Sequence, residues 1–381
     1  MRREQPHSSA RVAVARIALG SVVATMLLAG ITGGLLRAGV AVPVPVDSAW
    51  PGRAVLGHAF LMICCFMGTA IATERAGAVR QRLAFAAPAA SALAGVLALT
   101  GMARTASWLA VLASLVFIFV NMTVLSRHKA AHTLLLLSGA TSWLVGNLLL
   151  ALGAQAAVVI PWWFSFLVLT VAAERLEMTR LMRRRRGAAT ALLVCVGLLL
   201  AGAAAFAVSP RWGGWLYGMS LAALAAWLVC FDIARRTVAS DGLSRYMAVC
   251  LLSGYAWLGV SGFAWMATAM GYAVRDVALH ALGLGFLFSM MLGHAPVILP
   301  ALLRVKLLFG EFFYVPLALL HASLAVRMFW GPFDFSMLRG GAAGNAAAIA
   351  IFAATMVGAA VAWRIKYSAS RNSRNAIPAP H

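Results

Sequence analysis

The sequence predicts an all-α fold: a polytopic membrane helix bundle of about 12 transmembrane helices. Three observations lead to this prediction. Of the 381 residues, 63% are apolar and only 11% are charged, and the mean hydropathy is +0.90, which lies outside the range of soluble domains. Uncharged runs long enough to cross a bilayer recur between residues 16 and 363. The polar breaks between these runs are too short to hold a soluble domain, so any chemistry must lie within the bundle or at its edge.

A bilayer core requires about 20 apolar residues per helix, and twelve segments meet this length. The first could be a signal peptide because Arg2 and Arg3 precede it, but its apolar run is longer than usual, so we favour an uncleaved span. We expect residues 1–365 to form a single transmembrane bundle and residues 366–381 to be a disordered cytoplasmic tail. The predicted spans lie near residues 16–36, 54–73, 83–102, 106–125, 133–153, 156–173, 188–208, 212–232, 246–270, 275–293, 308–328 and 343–363.

The net charge of +21 is explained by topology. When the breaks are assigned alternately to the two faces, one face receives 24 of the 31 Lys and Arg residues and the other receives 7. The positive-inside rule then places both termini in the cytoplasm. A nucleic-acid partner is not expected, because the basic residues are spread over seven short segments, and the lipid bilayer is the expected environment.

Histidine is the polar residue that enters the predicted spans. No Asp or Glu lies in the middle of a span, which weakens the case for an ion-coupled transporter. Four histidines belong to the bundle: His58 in the second span, His280 and His294 in the tenth, and His321 in the eleventh. Ionisable groups inside a membrane are costly, so they are functional candidates.

Three of these histidines are expected at one depth. His58 and His280 each follow an arginine by five positions, and His321 precedes Arg327 by six. At 1.5 Å per residue, each lies roughly 7 to 9 Å from the outer basic residue of its helix. Each could be a hydrogen-bonded core residue, but the shared depth favours a haem or metal site near the outer face, since neutral imidazole is a common ligand of haem iron and copper.

The tenth span has two further features. His280 and His294 are fourteen positions apart, which places them about 40° apart around a helix and about 21 Å apart along it, so one helix could present a ligand near each face. Small residues between them leave room for a porphyrin or serve ordinary helix packing. Pro296 and Pro300 are expected to prevent the helix from continuing regularly.

Two segments resemble a known family. The sequences GHAFLMICCFMGTAIATE at Gly57–Glu74 and LHALGLGFLFSMMLGHAPVILP at Leu279–Pro300 are similar to the NnrS family, twelve-span membrane proteins of bacteria associated with nitric-oxide stress and denitrification. Members are described as binding haem and copper. The resemblance implies these cofactors for His58, His280, His294 and His321 and a place in the bacterial cytoplasmic membrane. Family members carry additional histidines, so one cofactor is easier to support here than two.

The sequence thus favours a haem b- and/or copper-binding membrane protein of nitric-oxide response or respiratory electron transfer. In this hypothesis His58, His280 and His321 are the metal ligands, His294 is a further cofactor-binding residue, and respiratory or denitrification proteins are the partners. One alternative is a transporter or channel for small molecules or metals, without a redox centre, in which the histidines line a pathway. Another is an assembly factor of a respiratory complex, in which they only make interhelical hydrogen bonds.

Overall fold

The computed structural model describes residues 6–45, 47–79, 81–179, 187–303 and 305–375. No strand occurs in these ranges, and twelve of their helical segments are long and apolar enough to cross a membrane. The predicted helix bundle is therefore confirmed, and the chain is a multi-pass membrane protein in contact with lipid. The spans are Ala18–Arg37, Phe60–Val79, Arg82–Thr100, Ala103–Arg127, Ala131–Ala151, Ala156–Met178, Ala188–Ala205, Pro210–Phe231, Gly242–Ala269, Arg275–Pro300, Glu311–Phe329 and Phe335–Tyr367.

Several spans consist of more than one helical element. The elements, in chain order, are Pro6–Arg37, Trp50–Leu56, Phe60–Gly68, Thr69–Val79, Arg82–Phe85, Ala86–Thr100, Ala103–Arg127, Ala131–Ala151, Ala156–Met178, Ala188–Ala205, Pro210–Phe231, Ala234–Thr237, Gly242–Ala269, Arg275–His280, Ala281–Phe288, Ser289–Leu303, Glu311–Phe313, Tyr314–Ala325, Val326–Trp330 and Phe335–Asn375.

Internal contacts divide the chain into two compact units, where the sequence predicted a single bundle. The first unit comprises Met1–Leu224 with Trp265–Tyr272, and the second comprises Ala225–Ala264 with Ala273–His381. Hydropathy reports span length and not which spans pack together, so this division could not be read from the sequence. His58 belongs to the first unit; the other three candidate histidines belong to the second.

Two helices continue beyond the points where the sequence predicts them to end. The tenth span continues as the helix Ser289–Leu303 through both Pro296 and Pro300. Each proline removes one backbone donor, which a membrane helix tolerates when neighbouring groups satisfy the freed carbonyl. The last helix runs to Asn375, so the tail predicted to be disordered from Lys366 is helical as far as that residue. Residues 376–381 of that tail lie outside the described ranges.

π-Helical turns occur beside two of the candidate histidines and around Arg327. The element Phe60–Gly68 begins two residues after His58, and Ala281–Phe288 begins directly after His280. The third, Val326–Trp330, contains Arg327. π-Helical turns are rare in proteins, and those that occur are often found at functional sites. The wider turn changes the direction of side chains and leaves a backbone carbonyl without its usual helical partner.

The core of the first unit contains a satisfied polar cluster around Asn147, which is completely buried. Its Oδ1 accepts hydrogen bonds from Trp163 Nε1 at 3.0 Å and Cys64 Sγ at 3.4 Å, and its Nδ2 donates to Ala110 O at 3.0 Å. The carbonyl of Cys64, inside the π-helical turn, accepts from Ser91 Oγ at 2.9 Å. This cluster ties five spans together and positions the turn that follows His58.

Candidate histidine sites

His58 lies between the short helix Trp50–Leu56 and the π-helical turn, against the first helix. Its Nδ1 is 2.8 Å from the carbonyl oxygen of Gly30. A carbonyl only accepts, so Nδ1 carries the proton and the Nε2 atom has the lone pair. A Cβ added at Gly34 would lie 2.7 Å from His58 Cε1, so the ring packs directly on this glycine. Two glycines of the first helix thus fix the orientation and tautomer of His58.

His294 has the same tautomer, obtained within its own helix. Its Nδ1 is 2.7 Å from the carbonyl oxygen of Met290, one turn earlier. The proton therefore lies on Nδ1 and the lone pair on Nε2. Metal-ligating histidines usually have this arrangement, in which an oxygen acceptor on one ring nitrogen orients the other.

His280 forms a network with Asp276 and Arg327. Its Nδ1 lies 2.9 Å from Asp276 Oδ1 and 3.1 Å from the Asp276 carbonyl oxygen, so Nδ1 is again the protonated nitrogen. Arg327 donates from Nε to Asp276 Oδ2 at 3.0 Å and from Nη2 to Oδ1 at 2.8 Å. Its Nη2 is also 3.3 Å from each nitrogen of the His280 ring. The guanidinium therefore competes with any metal for the Nε2 lone pair of His280.

Arg327 is buried, although its position at the end of a predicted span indicates a residue of the outer loops. Its side chain is 8% exposed. A Cβ on Gly341 would lie within 2.8 Å of the Arg327 backbone, so the last helix approaches Arg327 closely because position 341 is glycine. An arginine at a span end normally reaches the interface, but here an acidic partner within bidentate distance stabilises it inside the unit.

His321 has the opposite tautomer. Trp257 Nε1 donates to His321 Nδ1 at 2.9 Å, and the two ring planes are 8° apart. An indole nitrogen only donates, so Nδ1 of His321 is unprotonated and the neutral ring carries its proton on Nε2. The Nε2 lone pair is therefore not available to a metal, and this hydrogen bond argues against the predicted role of His321 as a metal ligand.

The predicted three-histidine centre lacks support from this geometry. In the second unit His280 contacts Asp276 and Arg327, whereas His321 contacts Trp257, so the two rings have different partners and different tautomers. Among the residues that the structure describes, no group of three or more His, Cys, Asp or Glu is arranged to hold a metal ion. Sites with one or two histidine ligands are compatible with this finding.

Three residues of these networks were missed from the sequence. Asp276 precedes His280 by four positions, a spacing that places them on one helix face and could have indicated the pair. Arg327 resembles the other basic residues at span ends, and Trp257 resembles any other core tryptophan. Nothing in their sequence context distinguishes them, because their roles depend on helix packing.

Comparison with known proteins assigns a family without a function. No curated protein matches the chain. The model of one family, described as a domain of unknown function (DUF8744), matches residues 16–361, which contain all twelve spans except the end of the last. The chain therefore belongs to the DUF8744 family.

Proposed function

We propose that this protein binds haem within the bacterial cytoplasmic membrane and acts in nitric-oxide response or respiratory electron transfer. One observation carries the proposal: in His58, His280 and His294, an oxygen acceptor holds the proton on Nδ1 and leaves the lone pair on Nε2. Three independent acceptors, two carbonyls and a carboxylate, produce this same ligand-competent tautomer.

Haem fits these residues better than copper does. Copper held only by protein side chains requires several ligands that converge, and the described residues offer no group of three. Haem iron requires only one or two axial ligands because the porphyrin supplies the others. A bound haem would supply one-electron redox chemistry and an iron able to bind small gases such as nitric oxide. Copper remains the less supported cofactor.

Within the first unit His58 is the proposed axial ligand, and within the second unit it is His294, each considered separately. The carbonyl of Gly30 and the surface of Gly34 hold the His58 ring in one orientation, and Met290 does the same for His294. His280 is a weaker candidate because Arg327 Nη2 competes for its lone pair. His321 is excluded from ligation in this proposal because its hydrogen bond from Trp257 requires the other tautomer. The apolar spans would exclude water and tune the potential.

The biological setting rests on two separate supports. The excess of basic residues on one face, 24 against 7, supports an orientation with both termini in the cytoplasm. The resemblance of Gly57–Glu74 and Leu279–Pro300 to the NnrS family supports nitric-oxide response, denitrification or respiration, with proteins of these pathways as partners. The transporter alternative gains no support from the charged network, since Asp276 and Arg327 are paired with each other.

The optical spectrum and metal content of the purified protein test this proposal. The protein is produced with a haem precursor, reconstituted with hemin, and compared with His58→Phe, His294→Phe and His280→Phe. We expect a Soret band that is lost or shifted in the first or second variant. The exposed loop residue His128 provides the control, and His128→Phe should leave the spectrum unchanged. A folded wild-type protein that binds neither haem nor copper would refute the proposal.

A further inference from the structure

The unassigned polar atom with the clearest chemistry is Nε2 of His321. Since Trp257 Nε1 donates to Nδ1, the neutral ring presents an N–H donor at Nε2. This atom is buried and has no hydrogen-bond partner among the described residues. An unpaired buried donor costs free energy, and the hydrocarbon core offers no bulk water to satisfy it. A bound molecule that carries an acceptor would remove this cost.

The orientation of the donor is fixed by three elements of the second unit. His321 lies on the helix Tyr314–Ala325, and Trp257 on Gly242–Ala269. The indole of Trp257 packs on Gly285, where any Cβ would overlap it, and Gly285 lies within the π-helical turn Ala281–Phe288. Trp257 is itself 9% exposed, so it cannot turn away without opening the core. His321 Nε2–H is thus a preorganised donor.

The neighbouring side chains are aromatic and continue to the surface. Phe329 lies 6.2 Å from Trp257, centroid to centroid, with the planes 30° apart, and Trp330 follows at 6.4 Å from Phe329. Both outer rings are more than half exposed, Phe329 by 54% and Trp330 by 57%, and lie at the end of the eleventh span. Aromatic rings at span ends are typical of the membrane interface. A ligand that arrives along these rings must be lipid-soluble, and a flat conjugated ring packs well against them.

We propose that His321 Nε2–H donates a hydrogen bond to a carbonyl oxygen of a lipid-soluble quinone. A quinone combines the three properties that the surroundings require: an oxygen acceptor, a flat conjugated ring and solubility in the bilayer. The proposal concerns binding, needs no metal, and goes beyond the proposed function, so it can be tested in haem-free protein.

The test measures binding of decylubiquinone to haem-free protein in lipid nanodiscs. The ¹³C-labelled quinone carbonyls are followed by infrared difference spectroscopy, and bound quinone is quantified after gel filtration. We expect saturable binding and a lowered carbonyl stretching frequency in the wild type. His321→Phe should weaken binding at least roughly tenfold, as for loss of a buried hydrogen bond. His321→Gln, which keeps an N–H donor, should retain most of the binding.

The control and the contrary outcomes are specific. His128→Phe, an exposed histidine replaced in the same way, should bind like the wild type. If His321→Phe does not fold, Trp257→Phe serves instead, since it removes the bond that fixes the tautomer and should weaken binding. ¹⁵N NMR should show the proton of His321 on Nε2. The proposal is overturned by absence of saturable binding, by wild-type affinity in His321→Phe, by a proton on Nδ1, or by an ordered water as the only acceptor.

Discussion

Arg327 and Asp276 form a bidentate ion pair in which both donors of one guanidinium edge meet both carboxylate oxygens, at 3.0 and 2.8 Å. The arginine is 8% exposed, whereas the aspartate is 39% exposed. The pair therefore joins the start of the tenth span to the end of the eleventh. Because Asp276 Oδ1 also accepts a hydrogen bond from His280 Nδ1–H, the pair also fixes the tautomer of that histidine.

The first prediction follows from this unequal burial. Asp276→Asn should lower the free energy of unfolding by about 2–3 kcal/mol, because it leaves the buried Arg327 without a counter-charge. The double variant Asp276→Asn/Arg327→Met should recover part of this loss. Thermal and denaturant unfolding in detergent measure both effects. Arg275→Met is the control: this neighbouring arginine is exposed and should change stability by less than about 0.5 kcal/mol. Equal losses in Asp276→Asn and the double variant would contradict the prediction.

The second prediction concerns the contact between Gly34 and His58. Gly34→Ala would place a Cβ 2.7 Å from His58 Cε1, so the ring must move and its bond to Gly30 weakens. We expect a loss of about 1–2 kcal/mol in stability, as for overpacking, and a changed Soret band if His58 ligates haem. Gly20→Ala, in the same helix with nothing within 4 Å, is the matched control. It should be neutral or stabilising because alanine favours the helix. Similar losses in both variants would show that the His58 contact is not the cause.

How much the sequence predicts depends on the range of the interaction. Span number follows from the length of apolar runs, a local property, and all twelve spans were found, with ends that differ by several residues. The histidines were found because polar residues stand out in apolar segments. Their tautomers were not predictable, because they depend on partners such as Gly30 and Trp257, which lie 28 and 64 residues away in the chain. The π-helical turns were also missed, since an apolar run shows no period that distinguishes them from an α-helix.

The third prediction concerns the buried amide of Asn147. Asn147→Ala should lower stability by about 2–4 kcal/mol, because it leaves Trp163 Nε1 without an acceptor and opens a cavity. Unfolding in detergent is the measurement. Ser138→Ala, on the same helix, is the control, because the Ser138 hydroxyl donates to the carbonyl of Leu134 in its own helix, one turn earlier. The serine variant should lose less than about 0.5 kcal/mol. Comparable losses in the two variants would contradict a special role for Asn147.

The fourth prediction is a pH dependence at the start of the last helix. Asp334 accepts a hydrogen bond from the backbone N–H of Ser336 at 2.7 Å, and bonds from the Ser336 hydroxyl and backbone lower the pKa of the Asp334 carboxyl. A carboxyl group whose pKa is lower in the folded state than in the unfolded state stabilises the folded protein at pH values above its unfolded-state pKa. This stabilisation is lost as the pH falls through the folded-state pKa. Asp334→Ala should therefore lower Tm at pH 7, and its difference from the wild type should shrink below about pH 4. Asp334→Asn keeps a side-chain acceptor for the backbone N–H groups at the helix start, but its amide does not titrate. The Tm of this variant should therefore lack the part of the pH dependence that comes from protonation of Asp334. A difference between wild type and Asp334→Ala that stays constant down to the acid range would show that the ionised carboxylate does not stabilise the helix start.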